Sequence, residues 1–146
     1  MSMHITLRKR AAFSFAATIM MAGSAMAIGA GSAFAATPQN VKFYPSSITG
    51  DGSRHISVYV GQRYAGEVSW VADGDTLKAE DLDADGWGIG AYLSTDPVRE
   101  AGTFGHSRGY TATQGGNLPE GNHYKLWACV GGSGGLVCSD RYDVHA

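Results

Sequence analysis

Cys129 and Cys138 stand nine positions apart near the end of the chain, with Gly131, Gly132, Gly134 and Gly135 between them. That arrangement limits the local fold more than any other stretch. Tyr124–Val130 and Leu136–Val144 flank a glycine-rich tip and read as the two arms of a hairpin. If the cysteines face each other directly, Val130 meets Val137, Gly131 meets Leu136, Ala128 meets Ser139 and Trp127 meets Asp140. Gly132-Ser133-Gly134-Gly135 is then a four-residue loop. A directly opposed pair lies at a separation that a disulfide spans. The closed loop is short, so the bond adds roughly 2–3 kcal/mol by chain entropy and mainly pins a register.

Period-two alternation recurs upstream, and no window holds apolar residues at helical spacing for three turns. Val41-Lys42-Phe43-Tyr44 is a strand ended by Pro45. His55–Val60 puts Ile56, Val58 and Val60 on one face. Gly61-Gln62-Arg63 begins a connection, and Glu67–Val71 is the next strand. Thr76–Leu82 is shorter and more polar. In Trp87–Ser94, Trp87, Ile89, Ala91 and Leu93 share one face, while Gly88, Gly90, Tyr92 and Ser94 share the other. Thr95-Asp96-Pro97 stops that strand. Val98–Gln114 reads as a loop with one or two short strands. Many short strands with turns between them predict an all-β fold, a small antiparallel β-sandwich or barrel of about eight strands.

Residues 1–35 read as a separate, helical signal peptide. Arg8, Lys9 and Arg10 precede an apolar run, Ala11–Ala27, and small residues follow to Ala35. That order is the signature of a secretory leader. Cleavage is expected after Ala35, with Ala25-Met26-Ala27 offering a second site, leaving a single domain over residues 36–146. Three of the eleven basic residues and none of the thirteen acids lie in the leader, leaving eight bases against thirteen acids and a net charge of −5. Nucleic acid and anionic membrane surfaces are poor partners for such a surface. No second apolar run is long enough to span a bilayer. An even cysteine count in an exported chain also fits a disulfide.

Four groups of residues could carry function. Asp81, Asp83 and Asp85 alternate ahead of Gly86, matching the first half of a calcium loop. The second half is missing, because Tyr92 stands where the closing Glu belongs. The same residues also suit a turn at Ala84-Asp85-Gly86, with Asp accepting main-chain hydrogen bonds. Trp70, Trp87 and Trp127 could form an aromatic platform for a glycan, or fill the core. Arg99, within Asp96-Pro97-Val98-Arg99-Glu100, could present a side chain to a protease pocket if that loop were an inhibitor's. Gly105-His106-Ser107-Arg108-Gly109 places His beside Ser, but no orienting acid follows and no hydrolase motif occurs.

Three motifs carry a resemblance: Ala84-Asp85-Gly86 through Tyr92-Leu93, Asn117-Leu118-Pro119-Glu120-Gly121, and Cys129-Val130 to Cys138-Ser139. Over about Asp73–Ala146 the chain resembles short secreted β-rich proteins of Streptomyces and related actinobacteria. The resemblance implies export and a small β-fold, and no particular activity. Several such proteins carry a further cysteine pair near the positions of Lys78-Ala79 and Tyr110-Thr111, which this chain lacks. The expected function is therefore a secreted, non-catalytic binding or envelope-associated module with a secreted protein or glycan as partner. An inhibitor of an extracellular protease and a calcium- or glycan-binding module are the alternatives.

Overall fold

The structure, a computed structural model, describes residues 36–146. The signal-peptide segment, 1–35, lies outside the described residues. The described residues contain ten strands and no helix: β1 (Val41–Pro45), β2 (Arg54–Val60), β3 (Arg63–Val71), β4 (Thr76–Asp81), β5 (Gly88–Leu93), β6 (Arg99–Gly102), β7 (Thr111–Gln114), β8 (His123–Gly132), β9 (Gly135–Cys138) and β10 (Tyr142–His145). None of these elements is long and apolar enough to be a membrane-crossing helix.

The strands form two antiparallel five-stranded sheets. The first runs β1-β2-β3-β4-β7. The second runs β10-β8-β5-β6, with β9 also pairing β8. Alternation explains which side chains are buried. Ile56, Val58, Val68 and Leu77 from the first sheet, and Ile89, Leu93, Leu126 and Val130 from the second, are fully or almost fully buried in one cluster. Each such side chain is worth roughly 1.5–3 kcal/mol of burial. The alternation read along Trp87–Ser94 holds from Gly88 to Leu93: Ile89, Ala91 and Leu93 are in the core.

The cysteine hairpin has the expected register. Cys129 pairs with Cys138, Val130 with Val137 and Gly131 with Leu136, and the two cysteines form a disulfide. Pairing continues to Gly132 and Gly135, so the tip is the two-residue turn Ser133-Gly134 rather than a four-residue loop. The second arm differs more. It breaks after Cys138 and resumes as β10, with Tyr142 opposite Leu126 and Val144 opposite Tyr124, one residue out of phase with β9. Ser139 holds the break by donating its N–H to Ala128 O (2.8 Å) and accepting Ala128 N–H on its hydroxyl (3.0 Å). The shift turns Tyr142 and Val144 toward the core, where the unshifted register would have put Arg141 and Asp143. Asp140 consequently does not pair with Trp127.

A second irregularity shapes the first sheet. Gly61-Gln62 is a tight two-residue connection, so β3 begins at Arg63, earlier than the sequence suggests. Val58 pairs with Gly66 but Tyr59 pairs with Tyr64, which leaves Ala65 as an extra residue on β3. This is a β-bulge. Ala65 is buried, and Tyr64 is aimed outward beside Tyr59. Gly66 makes the bulge feasible: a Cβ there would lie 2.0 Å from Glu80 O.

Candidate functional site

The acidic run is the crossover between the sheets. It leaves β4 in the first sheet and enters β5 in the second. Asp81 continues the inward alternation of Leu77 and Ala79 and is only 3% exposed. Its carboxylate accepts Asp83 N–H at 3.2 Å, and its main chain is bonded to Gly109 and Tyr110. Burial pushes the Asp81 carboxyl above its ordinary value, and the charges of Asp85 and Asp83 push the same way. Asp83 is ion-paired with Arg63 and accepts Ala84 N–H at 2.9 Å. Asp85 folds back on its own turn and accepts Trp87 N–H at 2.9 Å. The three carboxylates are thus engaged separately. Among the described residues no three His, Cys, Asp or Glu side chains gather where they could hold a metal ion. The three aspartates proposed for calcium, Asp81, Asp83 and Asp85, do not converge here: Arg63 draws one carboxylate away and the other two serve local turns.

The His106-Ser107-Arg108 loop borders the same crossover, across a cleft of about 450 Å³ that Asp81, Asp83 and Trp87 also line. His106 stacks on Tyr110, with centroids 3.7 Å apart and planes 10° apart. Among the described residues it makes no hydrogen bond to Ser107 or to an aspartate.

The three tryptophans do not form a platform. Trp70 is buried and donates its indole N–H to His145 O at 3.0 Å. Trp87 is half-buried against the core and borders the acidic cleft. Trp127 is on the outer side of the second sheet, but Tyr92 stacks on it at 5.5 Å and the Arg141 guanidinium lies 4.3 Å from its ring centre. Tyr92 and Arg141 are therefore both packed against its ring, which is left half-buried. Arg99 is likewise committed. It opens β6 and donates to Asp75 O (2.7 Å) and Gly116 O (3.3 Å), with its guanidinium 5.9 Å from the Trp70 ring centre. Arg99, expected on an inhibitor-type loop, thus spans two turns with its guanidinium.

The outer side of the second sheet carries a groove of about 590 Å³ between Tyr92, Phe104 and Leu136. Phe104 lies across Gly88, Gly90 and Gly102, where added Cβ atoms would come within 2.6–2.9 Å of its ring. The glycines thus make room for the chain's own aromatic side chain. Tyr92 donates to Glu100 at 3.1 Å, and burial followed by the Glu100 charge raises its phenol to about 12.

The outer face of the first sheet is different. Tyr44, Tyr59 and Tyr64, from β1, β2 and β3, form a continuous ladder. Tyr44 and Tyr59 meet edge to face at 5.4 Å and 90°, and Tyr59 and Tyr64 at 5.4 Å and 65°. Tyr44 is 54% exposed and Tyr64 39%. Lys42 pairs directly with Tyr59 across β1 and β2. Lys42, Tyr44, Tyr59, Gly61 and Gln62 line a shallow concavity of about 430 Å³. Alternation alone placed Tyr59 opposite Ile56 and Val58, and Tyr44 on a strand. Tyr64 could not be assigned to this face, because only the bulge at Ala65 brings it there.

No protein-family model matches the chain, and neither does any curated protein or solved structure.

Proposed function

We propose that this chain is an exported, non-catalytic β-sandwich that works outside the cell as a binding module, with the tyrosine ladder of the first sheet as its recognition face. One observation carries the reading: three tyrosine side chains from adjacent strands are contiguous on the outer face, with Tyr44 and Tyr64 exposed, while Ile56, Val58, Val68 and Leu77 of the same sheet are buried. Contiguous exposed apolar surface marks interaction sites, and tyrosine supplies both contact area and a polar tip. The sandwich assignment rests on the single buried cluster that both sheets supply. Export is supported by the order of charged, apolar and small residues in 1–35 and by the disulfide, which suits an oxidising compartment.

Two measurements test this. Protein recovered from the culture medium of an expressing bacterial host should begin at Ala36; a secreted-fraction protein starting at Met1, or none at all, would remove the export argument. Aromatic-ring NMR spectra should be followed during addition of cell-wall fragments, soluble glycans and proline-rich peptides. At least one addition should shift the rings of Tyr44, Tyr59 and Tyr64 ahead of Tyr124 and Tyr142, which pack against the core. Perturbations confined to other surfaces would overturn the choice of face.

A further inference from the structure

We infer that His123 and His145 form a binding site for a divalent transition-metal ion, with tetrahedral zinc the closest fit. The pair belongs to the second sheet and is independent of the tyrosine ladder on the first. Register brings it together. His123 opens β8, His145 closes β10, and the two are directly opposed across the ladder. Opposed residues hold their Cβ atoms about 4.5–5.5 Å apart on one face. Tyr124 and Val144, next along, turn toward the core, so both histidines are on the outer side. The opposition exists only because of the phase shift after Cys138. In the phase of β9, His123 would have faced Val144.

Ring geometry suits a shared ion. The imidazole centroids are 5.7 Å apart and the planes meet at 60°, so the rings are tilted rather than stacked on each other. A zinc–imidazole bond of about 2.1 Å puts each ring centre about 3.2 Å from the ion, and two rings at a tetrahedral angle are then about 5.2 Å apart. A small side-chain rotation within one rotamer well closes the difference of about 0.5 Å. Neither imidazole is committed elsewhere. The hydrogen bonds of His145 are made by its main chain: its O accepts the Trp70 indole N–H, and its N–H donates to Gly52 O at 3.4 Å. Gly52 also makes room for the ring, since a Cβ there would lie 2.7 Å from His145 Nε2. His123 is exposed, and among the described residues no hydrogen bond holds its ring.

The surroundings decide the class of ion. Lys125 and Asp143 are the next outward pair on the same face and are bonded to each other at 2.6 Å, so their charges offset. Arg54, which also bears on Asp143, has its guanidinium 5.7 Å from the Tyr142 ring centre. Among the described residues no three ligand side chains gather, so there is no oxygen cage for calcium or magnesium. What the face offers is two imidazoles, the ligand that suits zinc, copper and nickel. Two protein ligands leave the other coordination positions to water, and the ion is therefore held loosely and exchanges.

The test titrates zinc chloride, and separately magnesium chloride, into the protein without an affinity tag while the imidazole ring protons are followed by NMR. Submillimolar zinc should move the rings of His123 and His145 together. It should do so ahead of His55, which is opposed to Ser69, and His106, which stacks on Tyr110. Magnesium should move none of them. His123→Asn should weaken zinc binding about tenfold, because the second ligand no longer acts within the same molecule, and His145→Asn should do the same. His123 is exposed, so its variant should keep the wild-type unfolding midpoint in the absence of metal. A silent His123–His145 pair overturns the site, as do four histidines that respond in parallel or a zinc response that survives His123→Asn. An equal response to magnesium would reveal charge attraction alone and overturn the choice of ion.

Discussion

Gly66→Ala is the most severe small substitution the structure identifies. The added Cβ would lie 2.0 Å from Glu80 O and 2.8 Å from Ile89 Cδ1. The first contact is with main chain of the partner strand, so no rotamer change relieves it. Gly66 pairs with Asp81 in β4, and separating the two strands by about 1 Å disrupts one or two ladder hydrogen bonds worth about 1 kcal/mol each. Crowding a packed interior adds roughly 1–3 kcal/mol. The sum is about 4 kcal/mol, a large share of the roughly 5–15 kcal/mol that holds a domain together. For a chain of this size the melting temperature should fall by about 15 °C. Gly50→Ala is the control, since a Cβ there meets nothing within 4 Å, and it should melt with the wild type. Thermal unfolding followed by circular dichroism reads both. A Gly66→Ala protein melting within about 3 °C of wild type would refute the reasoning about the bulge. The same variant should lose the Tyr59–Tyr64 contact, because the bulge that aims Tyr64 depends on Gly66.

Replacing both cysteines, Cys129→Ser with Cys138→Ser, releases a loop of sequence separation nine; chain entropy sets the loss at about 3 kcal/mol, and the denaturant midpoint should drop in proportion while the β8–β10 pairing persists. An unchanged midpoint would show that the bond does not constrain the unfolded chain. Asp51 is held at about 2, against an ordinary 3.8, by hydrogen bonds from the Thr49 and Ser53 hydroxyls and the Ser53 amide. A lowered value means its stabilising contribution is full above pH 3.8 and is lost as pH falls toward 2. Carboxyl NMR should find the Asp51 midpoint near 2 and Thr49→Val should raise it; a midpoint at the ordinary value would contradict the hydrogen-bonded turn. Tyr92, raised from 10.0 to about 12 by burial and Glu100, favours the fold while neutral, and that contribution is lost as pH climbs past 10 toward 12. Phenolate absorbance should show a late-titrating tyrosine that Glu100→Gln brings down; seven tyrosines titrating together would exclude it.

What the sequence made legible depended on local signals. Cysteine spacing and the glycines between them set the β8–β9 register, and side-chain alternation set the buried face of β5. Both are properties of a few consecutive residues. The hidden features each depend on a distant partner. Ala65 becomes a bulge because β2 and β4 flank it and Gly66 can approach Glu80. Arg99 looks available in sequence, yet Asp75 O and Gly116 O lie within its reach only after folding. The alternating aspartates match a cation loop until the chain crosses between sheets and Arg63, twenty residues earlier, takes one of them. Trp127 gives no sign in sequence that Tyr92 and Arg141 cover it.

The interruption between Cys138 and Tyr142 has an evolutionary consequence. Ser139, Asp140 and Arg141 have the composition of a tolerant surface connection, where insertions and deletions usually do little harm. Here their number decides which side of the final strand meets the core. Removing or adding a single residue would exchange Tyr142 and Val144 for charged neighbours along the whole of β10, while leaving every downstream residue intact. The segment can drift in composition, apart from the Ser139 hydroxyl and the Arg141 guanidinium on Trp127, but its length is held to one parity. Related chains should therefore vary there by substitution, or by two residues at a time.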